Sequence, residues 1–598
     1  MKKTILIYLS ILCSFFLNAQ TTYYVDQING NNANNGITTS TAFKSINHAT
    51  SVVLPGDTIL IIGVYTNSSY NSSFSFTNNH DPHLWHKENS IRINNLNGTA
   101  TGYITIKAFD NNTILKGDGD NILRITNSSY LRIEDFNIEG EVPNIPLSTA
   151  NALQFVYIDV DNTIDPNDPT ASEILYRDQD CISNCTAGAV VNGEIYTDIS
   201  NMNVSRPSYI DTRGVFLSNV HHIDILNNTI HDTPGTGLRV ADCEDINIIG
   251  NEIYACSRKS YSGTHALVVT KATSTRTTDD YRIKIQRNKI HHNYNEQYSW
   301  APTKTVITPH IDEGKGISLQ RNQTTYNTDG SININWENGR ILVENNICYF
   351  NGFSGVHSND GNRIDFINNT SYFNSFTKSI TEGVTSSNGG NIGISAQGGS
   401  DIKIINNISI IDKGLSKSAI SSNLSSSDGL VVENNIIYGT DLNGNTGTIN
   451  EDANIVAVQV NTQKTDPLFV DPINFDFNLQ STSPAINNAN LSVAPLADFF
   501  EVKRDGSPDI GSVEYIDSTL SLSEHNLSGF SMYPNPVHNI IYIQGNTFEQ
   551  SDVKITNLLG QEFQNFSVIG NNSIDLSDLS SGLYIIKIKT FANRVYKK

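Results

Sequence analysis

The sequence predicts an all-β fold: a right-handed parallel β-helix followed by a small C-terminal β-sandwich. Short segments with apolar residues at alternate positions recur through the middle of the chain, and an asparagine follows each one. Asn228 and Asn251 are 23 residues apart, and so are Asn346 and Asn369. The last part of the chain breaks this repeat and carries its own strand pattern, which predicts a separate domain.

The repeat favours a β-helix because one coil of three short strands cannot bury its inward side chains alone, whereas stacked coils share a continuous core. Asparagine tolerates left-handed backbone at a corner, and stacked amides hydrogen-bond along the axis. A β-propeller needs about 40 residues for each blade, and a β-sandwich has no reason to repeat a corner asparagine. The repeated segments are residues 223–230, 246–253, 283–290, 341–347, 364–370, 402–408 and 430–436.

The first residues have the pattern of a secretory signal peptide. Lys2 and Lys3 are followed by an apolar run over residues 5–17 and by the small residue Ala19. The run is short for a membrane-spanning helix, which is the alternative interpretation. We expect residues 1–19 to be removed and the fold to begin at residue 20.

Several motifs between residues 22 and 516 carry a resemblance to a known group of folds. They are YYVD at 23–26, PGDTI at 55–59, GVY at 63–65, YITIKA at 103–108, YLRIEDF at 130–136, DPLF at 466–469, SPAI at 483–486 and DIG at 509–511. Together they resemble the secreted pectate-lyase-like β-helix superfamily. This resemblance implies a β-helix domain over residues 20–516. It does not imply one reaction, since the superfamily holds lyases, hydrolases, epimerases and binding proteins.

The tail resembles the C-terminal sorting domain of Bacteroidota type IX secretion cargo. The motifs are MYPNPV at 532–537, VKITNLLG at 553–560 and LSSGLYIIKI at 579–588. The resemblance implies the type IX machinery as a partner and a secreted protein, outside the cell or on its surface. Alternating apolar residues independently predict a small sandwich at 530–598, after a linker at 517–529. A carbohydrate-binding module is the alternative.

The charge of the chain limits its partners. A net charge of −21 argues against nucleic acid, which requires a basic face. An acidic protein that binds an acidic polymer must gather its cations in one cleft. Eight of the fourteen histidines fall between residues 221 and 357, where long loops at 257–281 and 294–338 also occur. These histidines are His221, His222, His231, His265, His291, His292, His310 and His357.

The motif HIDEGKGI at 310–317 is the sharpest local signal, because two acids and a lysine crowd a glycine-flanked strand start. Similar β-helix proteins often carry an Asp-Gly-Asn-Gly run here, from which Glu313 and Lys315 depart. A solvated turn is the alternative.

If the residue after each strand glycine points inward, the next one points outward. The outward column then contains Phe216, Arg239, Val268, Ser318, His357 and Ser395.

A uronic acid suits such a cationic face, because the proton beside its carboxylate is acidic. Removing that proton needs a base, a group that neutralises the carboxylate and an acid at the leaving oxygen. The resemblance adds that β-helix lyases commonly use Lys or Arg as the base and Arg or calcium on the carboxylate. The predicted catalytic residues are Lys315, His265 and Arg239, and the predicted substrate-binding residues are Arg213, His357 and His310. Asp312 and Glu313 are predicted calcium ligands.

These residues predict a carbon–oxygen lyase that acts by β-elimination on a uronic-acid-containing poly- or oligosaccharide, such as the algal polymers ulvan and alginate. It either cleaves the chain or dehydrates a terminal uronate, and a monomer is expected. One alternative is a glycoside hydrolase, which needs carboxylates at defined spacing. The other is a non-catalytic glycan-binding or adhesive β-helix, which does not need clustered cations.

Overall fold

The structure is a computed structural model of the 598-residue chain that divides into two compact units, residues 1–515 and 516–598. It describes residues 20–67, 89–147, 150, 155–157, 174–176, 189–191, 194–196, 211–260, 264–272, 280–296, 314–322, 339–374, 392–412, 418–441, 443–447, 449–516, 530–533, 537, 539–545, 551–557, 562–568, 572–580, 582–588 and 591–597. The predicted signal peptide, at residues 1–19, lies outside these residues. No helix among them is long and apolar enough to cross a membrane.

Two long parallel sheets run through the first unit. The described strands of the larger, first sheet are Thr22–Asp26, Thr58–Ile62, Ile91–Asn94, Ile104–Ala108, Asn121–Thr126, Ser129–Glu134, Arg213–Ser218, His221–Leu226, Leu238–Ala241, Glu244–Ile249, Leu267–Thr270, Tyr281–Gln286, Ile317–Asn322, Arg340–Glu344, Ser354–Ile367, Ile392–Ile405, Ser418–Ser422, Val431–Glu433 and Gln459–Val460. Those of the second sheet are Val64–Thr66, Ile114–Lys116, Asn137–Glu139, Thr229–His231, Glu252–Tyr254, Lys289–His291, Ile347–Tyr349, Thr370–Tyr372, Ile408–Asp412 and Ile436–Thr440. Parallel pairing throughout both sheets confirms the predicted β-helix.

Most coils contribute two strands to the first sheet and one to the second, while Ser354–Ile367 and Ile392–Ile405 each pass through both rows of the first sheet as one strand. We call the strands that pair with Arg213–Ser218 the leading row and those that pair with His221–Leu226 the trailing row. A residue with positive φ, such as Asn219 at 53°, turns the chain between the two rows. Alternate side chains point into the coil, so Val215, Leu217 and their counterparts in the other coils form one buried core.

An asparagine ladder stabilises the corner between the trailing row and the second sheet. Each ladder amide donates to the side-chain oxygen of the next asparagine at 2.9–3.1 Å, and all are buried. The residue just before each ladder asparagine, such as Asn227 at φ 54°, holds the left-handed backbone. The predicted stacking is confirmed, but the sequence assigned both the amide stacking and the left-handed backbone to one asparagine. In the structure the ladder asparagine makes the stack, and the residue before it holds the left-handed backbone. The ladder residues are Asn228, Asn251, Asn288, Asn346, Asn369, Asn407 and Asn435.

Short elements complete the first unit. Helix Ile46–Val52 begins at Ser45, whose side chain accepts a hydrogen bond from the amide of His48, and it packs Ile46 and Ala49 on the first coils. A second helix is Ala453–Val458. The described 3₁₀ helices are Thr39–Thr41, Val142–Asn144, Ser426–Asp428 and Pro472–Asn474. The described antiparallel pairs are Phe155–Tyr157 with Ile174–Tyr176, Ala189–Val191 with Glu194–Tyr196, and Phe469–Asp471 with Asp476–Leu479.

The second unit contains two antiparallel sheets. One consists of Phe530–Tyr533, Ile540–Gly545 and Asn572–Asp575, and the other of Ser551–Asn557, Glu562–Val568, Gly582–Ile588 and Phe591–Lys597. Ile541 and Ile574 from the first sheet share one buried cluster with Val553, Ile555 and Ile586 from the second. Two packed antiparallel sheets confirm the predicted β-sandwich.

Candidate functional site

The outward column of the leading row has the register that the sequence predicts. Strand pairing aligns Phe216 with Arg239, Arg239 with Val268, Val268 with Ser318, Ser318 with His357, and His357 with Ser395. Stacked strands lie about 4.8 Å apart, so Arg239 and His357 are separated by about 14 Å along the axis. The residues between them form one continuous outward face of the leading row.

Lys315 enters this face through a tight backbone turn. Gly314 has a φ of 84°, and a Cβ atom there would lie 2.6 Å from Cα of Tyr294, so only glycine fits this position. Lys315 is 6% exposed, and its Nζ lies 4.4 Å from the ring centroid of Phe353, in a cation–π contact. Glycine at position 314 therefore allows the turn that packs Lys315 against the face of the sheet.

His265 lies beside Lys315 on the neighbouring coil and is 1% exposed. Its Nδ1 is 3.4 Å from the backbone nitrogen of Lys315, and its Nε2 is 2.8 Å from Nε2 of Gln320. Burial holds the pKa of His265 well below its ordinary value, and Lys315, His357 and Arg239 lower it further by charge repulsion. His265 is therefore a neutral imidazole at neutral pH, and it lies near three other predicted site residues, Lys315, His357 and Arg239.

His357 lies on the other side of Lys315. Its Nδ1 hydrogen-bonds with the hydroxyl of Ser395, and its ring meets that of Phe353 edge to face at 6.2 Å. Burial, followed by the charge of Lys315, holds the pKa of His357 well below its ordinary value. A second neutral imidazole thus flanks the lysine.

Arg239 is the most accessible of the four, being half-buried. It lies close enough to Asp242 to lower the pKa of that carboxyl, as Lys271 also does, although burial raises this pKa more. We name Lys315, His265, His357 and Arg239 the lysine–histidine cluster. The structure brings together all three predicted catalytic residues and one predicted substrate-binding residue.

The remaining predicted site residues fall elsewhere. Arg213 lies at the N-terminal side of the cluster, with its guanidinium carbon 5.8 Å from the ring centroid of Phe216. His310, Asp312 and Glu313 lie outside the described residues, so the predicted calcium site stays a prediction. Within the described ranges, no three His, Cys, Asp or Glu side chains converge to hold a metal ion.

The expectation that the histidines between residues 221 and 357 gather on one face is wrong for four of them. His221 and His222 belong to the trailing row, where they pack on Tyr130, and His231 and His291 belong to a ring stack on the second sheet. Because a coil has three strands that face different directions, residues close in sequence separate onto different faces. The cluster is smaller than the sequence implied.

Arg258 and Lys259 are likewise not available cations. They lie 3.9 Å and 2.5 Å from the carboxylate oxygens of Glu296, and Arg258 also lies 4.4 Å from the ring centroid of Tyr294. Both side chains therefore stabilise the long-loop region instead of contributing free positive charge.

Sequence reasoning missed two residues that contact the cluster. Gln320 follows Ser318 by two positions, so the alternation of the strand could have identified it as the next outward side chain. Phe353 precedes its strand by one residue, and no pattern marks it. Its ring contacts both Lys315 and His357.

The arrangement provides the parts for proton transfer beside an anion. Arg239 supplies positive charge, Lys315 supplies an amine that can take up and release a proton, and burial keeps the imidazoles of His265 and His357 neutral. Gln320 and Ser395 hold those rings in place. An acidic chain that concentrates cations on one face of its sheet is suited to a carboxylate-bearing ligand.

Comparison with known proteins supports the tail most directly. Residues 531–598 match the family described as secretion system C-terminal sorting domain. This match confirms the predicted sorting domain, and the protein is exported by type IX secretion to the cell surface or the medium. No curated protein matches the sequence.

Several solved β-helix structures are similar at low identity. Pectate lyase Pel9A has a TM-score of 0.44 and 14% identity, with 83% of this chain and 97% of that chain covered. A structure named rhamnogalacturonan lyase has a TM-score of 0.33 and 13% identity, covering 83% and 96%. The A-module of mannuronan C-5 epimerase AlgE6 from Azotobacter vinelandii has 0.32 and 13%, covering 69% and 91%.

Proposed function

We propose that the protein is a secreted carbon–oxygen lyase that acts on uronic-acid-containing polysaccharide, with the lysine–histidine cluster as its active site. The observation that carries the proposal is the meeting of Lys315, Arg239 and two neutral histidines on one sheet face of a chain whose net charge is −21. A carboxylate would neutralise the cations, and proton-transfer groups lie beside it.

In the proposed reaction, Arg239 binds the uronate carboxylate and thereby makes the proton at C5 more acidic. Lys315, in its neutral form, takes that proton. The C5–H electron pair becomes the C4=C5 double bond, and the C4–O bond breaks with its electrons leaving on oxygen. The ammonium formed on Lys315 then returns a proton to that oxygen, so that atoms and charge balance.

The histidines have different roles in this proposal. His265 is 1% exposed and touches the backbone of Lys315, so it acts as a positioning residue that fixes the lysine. His357, at 8% exposed and held by Ser395, flanks the substrate. Both stay neutral, and this leaves Arg239 to bind the carboxylate and Lys315 to act as the base.

A glycoside hydrolase is less well supported by the described residues. Hydrolysis uses a pair of carboxyl groups on either side of the scissile bond. The groups that converge around His265 are cationic or neutral, and Asp242 is set beside Arg239 and Lys271. The cluster therefore matches the needs of elimination better than those of hydrolysis.

Asp312 and Glu313 are the residues that we propose as calcium ligands. When bound, calcium would help to neutralise the substrate carboxylate. Removing calcium with a chelator should then lower activity, and the Glu313→Ala variant should be more sensitive to the chelator than the wild-type protein. Activity of the wild-type protein that is unaffected by chelation would remove calcium from the proposal.

The test is ultraviolet absorbance during incubation with alginate, ulvan, pectin and chondroitin. Elimination creates a conjugated unsaturated uronate that absorbs, whereas hydrolysis creates only new reducing ends. We expect absorbance to rise with one of these polymers. A rise in reducing ends without a rise in absorbance would contradict the lyase assignment.

A further inference from the structure

A row of arginines continues the outward column beyond the lysine–histidine cluster, toward the N-terminal coils. Strand pairing aligns Arg92 with Arg124, Arg124 with Phe216, and Phe216 with Arg239. Stacked strands are about 4.8 Å apart, so the row is about 14 Å long. Three of its four positions carry a guanidinium, on the same face as Lys315.

The centre of this row is the ring of Phe216. The guanidinium carbon of Arg124 lies 5.5 Å from the ring centroid and that of Arg213 lies 5.8 Å from it. All three side chains are half-buried, so solvent screens their charges less than at an open surface. Cation–π attraction holds both guanidiniums at this ring. An anion that binds here would accept charge-assisted hydrogen bonds from the guanidinium N–H groups.

We infer that Arg124, Arg213 and Phe216 form a second anion-binding subsite, and that an anionic polysaccharide lies along the helix axis from this subsite past Arg239 to Lys315. The inference rests on the proposed function. One sugar residue of an extended chain advances by about the height of one coil, so the row contacts consecutive residues of a polymer. The reacting uronate is then joined to further sugar residues on the N-terminal side of the cluster.

The ligand of the second subsite is an anionic group on a neighbouring sugar, either a carboxylate or a sulfate ester. Guanidinium binds both groups through paired N–H donors. Alginate carries carboxylates alone, whereas ulvan carries both groups. Comparing the two polymers therefore identifies the source of the anion.

The experiment measures polymer binding and cleavage by the Arg124→Ala and Arg213→Ala variants of the full chain. Arg132→Ala is the matched control, because Arg132 also lies over an aromatic ring, 4.9 Å from the centroid of Tyr103, but belongs to the trailing row and pairs with Asp224. Binding is measured by affinity electrophoresis in the Lys315→Ala background, so that the polymer stays intact. Circular dichroism checks the fold of each variant.

We expect Arg124→Ala and Arg213→Ala each to weaken polymer binding roughly tenfold to hundredfold, the loss typical of a hydrogen bond to a charged group. Arg132→Ala should bind as the parent does. Weaker binding of both polymers by these variants would identify the carboxylate as the anion bound at the second subsite. Weaker binding of ulvan alone would identify the sulfate ester. Arg124→Ala should lose activity on polymer but not on a disaccharide.

Two outcomes would overturn the inference. Unchanged binding in both arginine variants would remove the second subsite, and an equal loss of binding in Arg132→Ala would show that the loss follows from removing any surface arginine. Either outcome leaves the proposed function in place if Lys315→Ala still abolishes elimination. Conversely, a protein that binds polymer through Arg124 and Arg213 but eliminates nothing would contradict the lyase assignment and support the subsite.

Discussion

Lys315 is the residue on which the proposed chemistry depends. Its Nζ contacts Phe353, and its backbone lies against His265. Truncation to alanine removes the proposed base and should lower turnover by about 10²–10⁴-fold, the usual contribution of a general base. Lys284→Ala is the matched control, since Lys284 lies on the trailing row between Asn247 and Leu342. Steady-state kinetics should show a fall in kcat for the first variant and wild-type values for the control.

His292 gives a prediction about stability and pH. Burial lowers the pKa of His292 from 6.5 to about 4, and repulsion from His291 and Arg258 adds to the effect. Between about pH 6.5 and pH 4 the unfolded chain therefore binds more protons at this position than the folded chain does. Stability rises with pH in that window and is lost as the pH falls.

The variant His292→Asn should flatten this dependence. The residue has a φ of 55°, a left-handed conformation that asparagine tolerates, so the substitution removes the titrating ring without demanding a new backbone conformation. Thermal unfolding at pH 7 and pH 5 should show a smaller fall in Tm for the variant than for the wild-type protein. An equal fall in both would show that His292 does not couple pH to stability.

At the scale of elements, the asparagine ladder is the feature that fixes the coil. Asn228 donates to the carbonyl of Ile133 and to the side chain of Asn251, both at 3.0 Å, and accepts from the amide of Phe136 at 3.0 Å. The Asn228→Ala variant leaves these buried groups unsatisfied, at roughly 1–3 kcal/mol for each. We expect a fall in the free energy of unfolding of at least that size, measured by denaturant titration.

Asn227→Gly is the contrasting variant in the same coil. Asn227 holds the left-handed position that Gly250 occupies one coil later, so glycine should cost only a few tenths of a kcal/mol there. If Asn228→Ala and Asn227→Gly destabilised the protein equally, the assignment of amide stacking to one residue and left-handed backbone to the other would be wrong.

The sequence predicts the strands and their alignment well. Alternating apolar residues and a recurring asparagine are local signals, and when coils stack, these signals determine which residues of neighbouring coils lie side by side. Arg239, Ser318 and His357 lie in one column, as alternation predicts. The site is less predictable, since its members come from different coils and from residues outside the strands. Phe353 illustrates this limit: it contacts Lys315 from a position that no period identifies.

At the scale of the whole molecule, the sorting domain and the proposed active site belong to separate units. Residues 531–598 match the sorting domain and have their own buried core. Deleting residues 525–598 should therefore leave the protein in the periplasm with its β-helix folded, as cell fractionation and circular dichroism would show. Normal export of the truncated protein would contradict a sorting role, and an unfolded product would contradict the independence of the first unit.

The most direct test of the central claim is the mass of the product that the full-length protein releases from a polyuronate. Elimination gives an oligosaccharide that is lighter by one water molecule than the hydrolysis product of the same length. We expect the lighter product from the wild-type protein and from Lys284→Ala, and its loss from Lys315→Ala. A product of hydrolytic mass, or the lighter product still formed at the wild-type rate by Lys315→Ala, would contradict it.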